Sequence, residues 1–546
     1  MTESNLHLTD RDKSLLFWAS FLSLAAAGFG FVFRVMIPTM WSEEFQITNA
    51  QVGSITGAAL WPIAITMVLF SLIVDKVGYK LSMFCAFAFQ AASVVLTVTA
   101  KDVDMLWWAC FCAGLGHGVV EACINPLCAS IYRNEKSKWL NILHASWPAG
   151  IVGGGVAYLT LVGADATDWA STKWIFWIML LPVLAYGVMF ALCHRYPVDE
   201  RIEANVSMKE MLREFGGLGA GLASTFLIYE FLTQLKVDLG AWTPHKLYIC
   251  LIAGAVIGVA FGFALQAVGR WLFFVLCLIM IPLATAELGT DAWIATLLRP
   301  IMGKEYAGWA IVFSAGIMMT LRFFAGIPLK VMNPPQLLLV SSVFSIAGLF
   351  ALSEVTGALI FGAFVLYAIG QTFYWPTVLG FVSEQFPKGG AMTLNTVSAM
   401  GLLTVGIFGF PFLGAVQDSY NAKTVAEVEP EVFATAKADG TTFLDVTNPN
   451  EPKPVLIVEE KDFFGVPFTS VNTQEFMKLQ ALDEARDEKL KEALKSTGQS
   501  SLKVAGVLPL IMAIAFILII IYYRLNGGYR VVHLRPSGED PASTDG

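Results

Sequence analysis

Apolar stretches long enough to cross a bilayer recur along the chain, separated by short polar breaks. Six come first, at about 15–41, 52–74, 81–100, 105–132, 138–163 and 173–193. A polar stretch from His194 to Glu214 follows, then a closely spaced pair at about 216–235 and 246–268. Six more lie at about 271–297, 307–331, 336–353, 357–382, 391–416 and 503–523. A backbone crossing hydrocarbon must satisfy its own hydrogen bonds, so runs of this length predict helices. The expectation is an all-α membrane protein of fourteen spans in a 6 + 2 + 6 order. Its parts are a terminus at 1–14, a six-helix bundle at 15–193, a linker at 194–215 and an extra helix pair at 216–268. A second bundle at 271–416 and 503–523 is interrupted by an insertion at 417–502, and a tail covers 524–546.

Composition agrees. Of 546 residues, 56% are hydrophobic and 14% charged, against about 25% charged in soluble domains. The first apolar run is too long for a signal peptide and reads as a span. All eight cysteines fall in apolar runs, so buried, unpaired thiols are expected, without a disulfide framework or metal-ligand spacing. Lys and Arg are unevenly shared. With the N-terminus inside, seventeen fall on the cytoplasmic side and six in the short outer loops, so both termini are expected in the cytoplasm of a multi-pass protein of the cell (inner) membrane. The insertion would then lie outside. It carries sixteen acidic and nine basic residues, hence net −7 of the chain's −8. Patches such as Val455-Leu456-Ile457-Val458 look like strands, and Thr473 to Leu494 reads as a charged amphipathic helix.

Within the fourth run, Glu121 sits near the bilayer midplane. A charge there costs at least about 2.5–3.5 kcal/mol and is seldom tolerated without a partner or a function. His117, Glu121 and Asn125 recur every four residues and share one helix face. Pro126 frees a backbone carbonyl one turn back. In the fifth run Asn141, His144 and Pro148 share a face, with Trp147 beside them. Two such faces can line one cavity. The alternatives are a buried structural ion pair for Glu121 and plain helix packing for His117 and His144.

Ser71-Leu72-Ile73-Val74-Asp75-Lys76-Val77-Gly78-Tyr79-Lys80 joins the second and third runs. It resembles the loop signature of the major facilitator superfamily in Asp75, Lys76, Gly78 and Lys80. Ser71 replaces the usual first glycine and Tyr79 a basic residue. The two blocks of six also look like repeats: Gly116-His117…Asn125-Pro126 and Gly370-Gln371…Trp375-Pro376 hold corresponding places. Glu121-x-x-x-Asn125-Pro126 and Leu140-Asn141…Gly150 are similar to elements of the fucose–proton symporter branch. The resemblance implies a major facilitator fold of two six-helix bundles related by a pseudo-two-fold. It also implies a substrate- or proton-binding role for Glu121 and a gating role for Asp75, Gly78 and Lys80. The branch's acidic residue in the first helix is absent from Leu15–Trp41; Arg34 is there instead.

Arg34 lies about six residues, or roughly 9 Å, outside the midpoint of its run. Glu287 occupies a similar depth on the repeat-related helix. The two are expected to face each other as an outer gate; otherwise Arg34 grips an anionic solute or snorkels to the interface. Gln371 and Trp375, with Tyr374, suit hydrogen bonding to and stacking on a sugar-like solute, or helix packing. Asp291 and Arg322 are weaker candidates, Arg322 being assigned to the cytoplasmic end, and Glu230 is expected to be peripheral. No Gly-rich phosphate loop is present, so ATP drive is not indicated. The acids lie within helices rather than interfacial loops, which argues against a membrane transferase.

The chain therefore reads as a secondary transporter, not an enzyme, moving a small polar, sugar-like solute by alternating access, with proton coupling through Glu121. The alternatives are an organic-anion carrier and a non-transporting sensor of the same fold. Its partners would be the solute, protons and the bilayer. No cofactor, metal or nucleic acid is expected, and the protein should be a monomer.

Overall fold

A computed structural model describes residues 8–534, apart from 46, 48, 164, 165, 167, 291–303, 356–358, 446–452 and 480–483. Asp291 lies outside the described residues. Among them, thirteen helices are long and apolar enough to cross a membrane. The first half holds α1 (Asp10–Met36), α2 (Trp61–Val77), α3 (Tyr79–Thr99), α4 (Val103–Ile131), α5 (Lys136–His144), α6 (Ser146–Leu161) and α7 (Leu180–Leu192). A short α8 (Glu200–Glu203) leads to the extra pair, α9 (Met208–Gln234) and α10 (Lys246–Leu265). The second half holds α11 (Trp271–Ala284), α12 (Lys304–Phe323), α13 (Pro334–Glu354), α14 (Leu359–Gln371), α15 (Tyr374–Gln385), α16 (Gly390–Thr404) and α17 (Phe410–Val428).

The expected span at 138–163 is two helices, α5 and α6, each too short to cross alone. Pro148 cannot donate to the carbonyl one turn back, so the helix breaks at Ala145. The run at 357–382 breaks in the same way between α14 and α15, ahead of Pro376. Glycines let the first half pack closely. A Cβ on Gly150 would meet the Ala25 carbonyl oxygen at 2.1 Å, and one on Gly28 the Trp147 carbonyl oxygen at 2.3 Å. Thus α6 lies backbone to backbone on α1, as small residues allow in membranes.

The halves meet where α2 packs on α16, α5 on α15 and α6 on α12. The extra helix α9 lies against α16, with Phe226 and Leu227 packed on a cluster formed by Ile63, Met67, Ala399 and Leu403. We call the side carrying the N-terminus and the chain after Leu525 the tail face, and the opposite side the insertion face. The insertion is folded. Helix α17 runs on to Val428, well past the expected boundary, and α18 (Pro430–Ala438) turns back. Two antiparallel hairpins follow, β1 (Thr442–Asp445) with β2 (Lys453–Leu456) and β3 (Val458–Phe463) with β4 (Val466–Val471). Then come α19 (Thr473–Leu479) and α20 (Glu484–Ala505), which leads into α21 (Val507–Leu525). Val425, Ile457, Val471, Phe476 and Leu490 form its small core. All eight cysteines are free; Cys85 and Cys112 are half-buried and the other six buried.

Candidate functional site

Helix α4 carries its polar stripe into the centre of the molecule. Glu121 is 6% exposed and Asn125 wholly buried. The Asn125 amide donates to Glu121 Oε2 at 2.8 Å, and its Oδ1 lies 2.8 Å from His144 Nε2 on α5. A carboxylate only accepts, so the NH2 of Asn125 must face Glu121 and its oxygen must face His144. His144 therefore carries its proton on Nε2 and donates it to Asn125. His117 Nε2 lies 3.7 Å from Glu121 Oε1, beyond hydrogen-bond reach, and has no hydrogen-bond partner among the described residues. Its ring stacks on Trp147 with centroids 5.1 Å apart and planes 18° apart. The two faces read from the sequence thus meet in one network, His117–Glu121–Asn125–His144.

Arg34 and Glu287 do not face each other. Arg34 turns into its own half, where Nη2 donates to Ser93 Oγ of α3 at 3.3 Å. Glu287 sits in a π-helical turn, Thr285–Gly289, that continues α11; such turns often occur at functional sites. Its partner is Arg322, with Nη2 to Oε1 at 2.6 Å. Equal depth on repeat-related helices does not fix which way two side chains point, and here they point into different bundles. Nor does Arg322 serve a peripheral loop. Helix α12 stops at Phe323, and turns with a short 3-10 segment carry the chain on to Lys330. Arg322 consequently lies deep, 1% exposed. Its Nε donates to Thr372 O at 2.7 Å and its Nη1 to His144 O at 2.9 Å, so this guanidinium joins both halves. The second Glu287 oxygen accepts the backbone N–H of Trp375 at 2.9 Å. That amide is in the first turn of α15, where helix N–H groups lack helical acceptors and favour an anion.

The Trp375 ring packs against α16, where a Cβ on Gly401 would lie 2.7 Å away. Gln371 is buried and reaches Ser314 Oγ at 3.4 Å. Asn141 crosses to the second half, donating to Thr377 Oγ1 at 3.1 Å. Glu230 is buried in the extra pair and accepts from Gln234 at 2.7 Å. In the loop after α2, Gly78 has φ 83° and ψ 153° and turns the chain. Lys80 Nζ bonds the carbonyls of Ala191 at 3.0 Å and Cys193 at 3.3 Å, so it caps α7 within its own half. The side chain of Asp75 lies outside the described residues.

On the tail face a second polar group spans the halves. Lys136 Nζ meets Glu200 Oε2 at 2.7 Å and the Ser383 carbonyl at 3.2 Å. The Ser137 amide donates to Glu384 Oε1 at 3.2 Å, and the Ser137 hydroxyl bonds the same oxygen. The chain after α21 crosses this group: Leu534 N–H donates to Glu200 Oε1 at 2.8 Å and Tyr529 OH to Glu384 Oε2 at 2.6 Å. Glu200 lies in the linker. Burial works to raise its pKa, but the Lys136 charge and hydrogen bonds outweigh burial and leave it below the ordinary carboxylate value. Sequence reasoning missed this group and Asn395, although Glu384 belongs to the charged exit of its helix.

Among the described residues no cluster of His, Cys, Asp and Glu is arranged to hold a metal ion. The network offers instead two carboxylates, one guanidinium and two imidazoles, with aromatic rings alongside. Such a set can hold a proton and hydrogen-bond a polar solute.

Comparisons with known proteins agree with this architecture. The chain is 24% identical over 227 residues to the gentisate transporter of Corynebacterium glutamicum, a match covering 40% of this chain and 50% of that protein. It thus spans about half the length of that curated relative. The fold is similar to a crystal structure of a variant of the E. coli fucose:proton symporter, with TM-score 0.54, 12% identity, and coverage of 92% of this chain and 98% of that one. A proton:xylose symporter superposes with TM-score 0.53 and 13% identity over 76% of this chain and 91% of that one. A human organic anion transporter does so with TM-score 0.53 and 10% identity over 92% of this chain and 99% of that one. The family model of the Major Facilitator Superfamily matches residues 17–414. This protein belongs to the Major Facilitator Superfamily.

Proposed function

We propose that this transporter couples the movement of a small, uncharged polar solute to a proton held at Glu121, with the tail face in the cytoplasm of the cell membrane. The observation that carries this reading is the unequal pairing of two buried carboxylates. Glu287 is matched by Arg322. Among the described residues, the partner of Glu121 within ion-pair range is His117, which is charged only when protonated. With neutral histidines this network holds two carboxylates and one guanidinium, Arg34 being turned away into its own half, so a single proton neutralises the network. A protonated Glu121 lets the halves move past it at lower cost. A neutral solute with one proton fits this charge; an anion requires a second positive charge. The orphaned His117 Nε2, stacked on Trp147, offers one polar and one aromatic contact for a sugar-like ring. Seventeen against six basic residues supports the cytoplasmic tail face. Gly78 and Lys80, with Asp75, are proposed to steady the tail-side loop during gating.

A second reading, an organic-anion carrier that takes up the further proton at His117, is favoured by the match to the gentisate transporter. Proteoliposome assays decide. Glu121→Gln should abolish uphill uptake while sparing exchange; uphill uptake that survives would discard proton coupling at Glu121. The solute class is read by thermal shift over sugars and hydroxylated carboxylates, followed by the proton:solute ratio of the hit.

A further inference from the structure

A proline in a helix leaves the carbonyl four residues earlier without its donor. Pro126, Pro148 and Pro376 thus free the carbonyls of Ala122, His144 and Thr372. In hydrocarbon such groups need another partner. All three have one. Arg322 Nη1 takes His144 O at 2.9 Å, and its Nε takes Thr372 O at 2.7 Å. Asn395 Nδ2 of α16 takes Ala122 O at 3.0 Å. Ala122 and His144 belong to the first half, Asn395 and Arg322 to the second. The carbonyls that two prolines expose in one bundle are therefore filled by side chains of the other.

Asn395 is wholly buried, and its Oδ1 has no hydrogen-bond partner among the described residues. Its amide donates to Ala122 of the other bundle, so packing within its own bundle does not explain why an amide is placed there. Both bonds lie on the tail side of the centre: Asn395 is five residues into α16, Ala122 nine residues before the end of α4, and His144 eight residues into α5.

We infer that Asn395–Ala122 and Arg322–His144 are inter-bundle latches that hold the tail-side half of the pathway shut. Each breaks and reforms once per transport cycle. Pro126 and Pro148 keep their carbonyls available for the other bundle, and Asn395 and Arg322 are positioning residues for the transition. When the halves part, water or solute takes up the carbonyls and the Asn395 amide.

The latch is tested by a double-mutant cycle between Asn395→Leu and Pro126→Ala, because alanine restores the helical donor to Ala122 O. Spin labels at Asn134 and Lys388, exposed on the tail face in opposite halves, report the tail-open fraction with Cys85 and Cys112 replaced by serine. In the Pro126 chain, Asn395→Leu should raise the open fraction about two- to tenfold, the worth of one hydrogen bond. In the Pro126→Ala chain it should change the fraction less than twofold. Equal shifts in both chains, or none in either, overturn the proposal. A purely packing role for Asn395 would lower the unfolding temperature without moving the label distance, and that result also overturns it. Should Asn395→Leu not fold, Asn395→Ser, which keeps a polar group but cannot span the distance, takes its place with the same expected shifts. The labels need no solute or proton gradient, so this result is independent of proton coupling at Glu121, which uphill uptake reads.

Discussion

Arg322 and Glu287 meet at 2.6 Å in a place where neither is more than 5% exposed. The guanidinium gives two further donors to backbone carbonyls, and the carboxylate takes a helix-terminal amide. Removing one charge strands the other, which costs about 3–5 kcal/mol in buried pairs. Arg322→Met and Glu287→Gln should each lower the unfolding temperature in detergent by an amount of that order. The double variant should lose less than the sum of the two, because it strands no charge. Additive losses would show that the two residues act separately.

His144 donates to Asn125, and Asn125 donates to Glu121. His144→Leu leaves the Asn125 oxygen buried without a donor, at a cost of about 1–3 kcal/mol. His144→Gln keeps a donor and should lose less stability. Because the chain ends on Glu121, the leucine variant should also raise the solute KM more than the glutamine variant does. Equal KM values in the two variants would separate His144 from the site.

Gly78 is expected to be hard to replace for conformational reasons. A Cβ there meets nothing within 4 Å, but φ 83° is a region that L side chains rarely adopt. Gly78→Ala should cost about 1–3 kcal/mol, read as a lower unfolding temperature, and transport should fall with it. Unchanged stability would mean that the turn relaxes without penalty.

Much of the architecture was legible because hydrophobic run length answers directly to bilayer thickness. The helical runs and the Glu121 stripe survive folding, but thirteen helices among the described residues, rather than fourteen, are long and apolar enough to cross, because the run at 138–163 breaks at Ala145. The pairing of charges was not legible. Arg34 and Glu287 sit at matched depths, yet rotation about each helix axis decides partners, and a one-dimensional count carries no rotation between helices. Arg322 was misplaced because α12 ends at Phe323 and non-helical turns complete the crossing, so counting along the run misjudged its depth. Asn395 lay in a run of small polar residues with no spacing to distinguish it. The prolines did carry a signal: each announced a free carbonyl, and asking which donor fills it leads to Arg322 and Asn395.

Acid should loosen the tail. Glu200 accepts from Lys136 and from the Leu534 amide, which hold its carboxyl below the ordinary value of 4.5 despite burial. A carboxylate with a lowered pKa contributes fully above its unperturbed value, and the contribution fades as pH falls through the lowered one. Closure of the tail face through Glu200 should therefore be flat across neutral pH and weaken only below about pH 4.5. A spin label at the exposed His533 reports this as motion of the tail. Glu200→Gln keeps an acceptor for Leu534 but loses the ion pair with Lys136, so the tail should already be mobile at pH 7 and acid should change it little. If the acid-induced step persists in Glu200→Gln, the tail is held by another group.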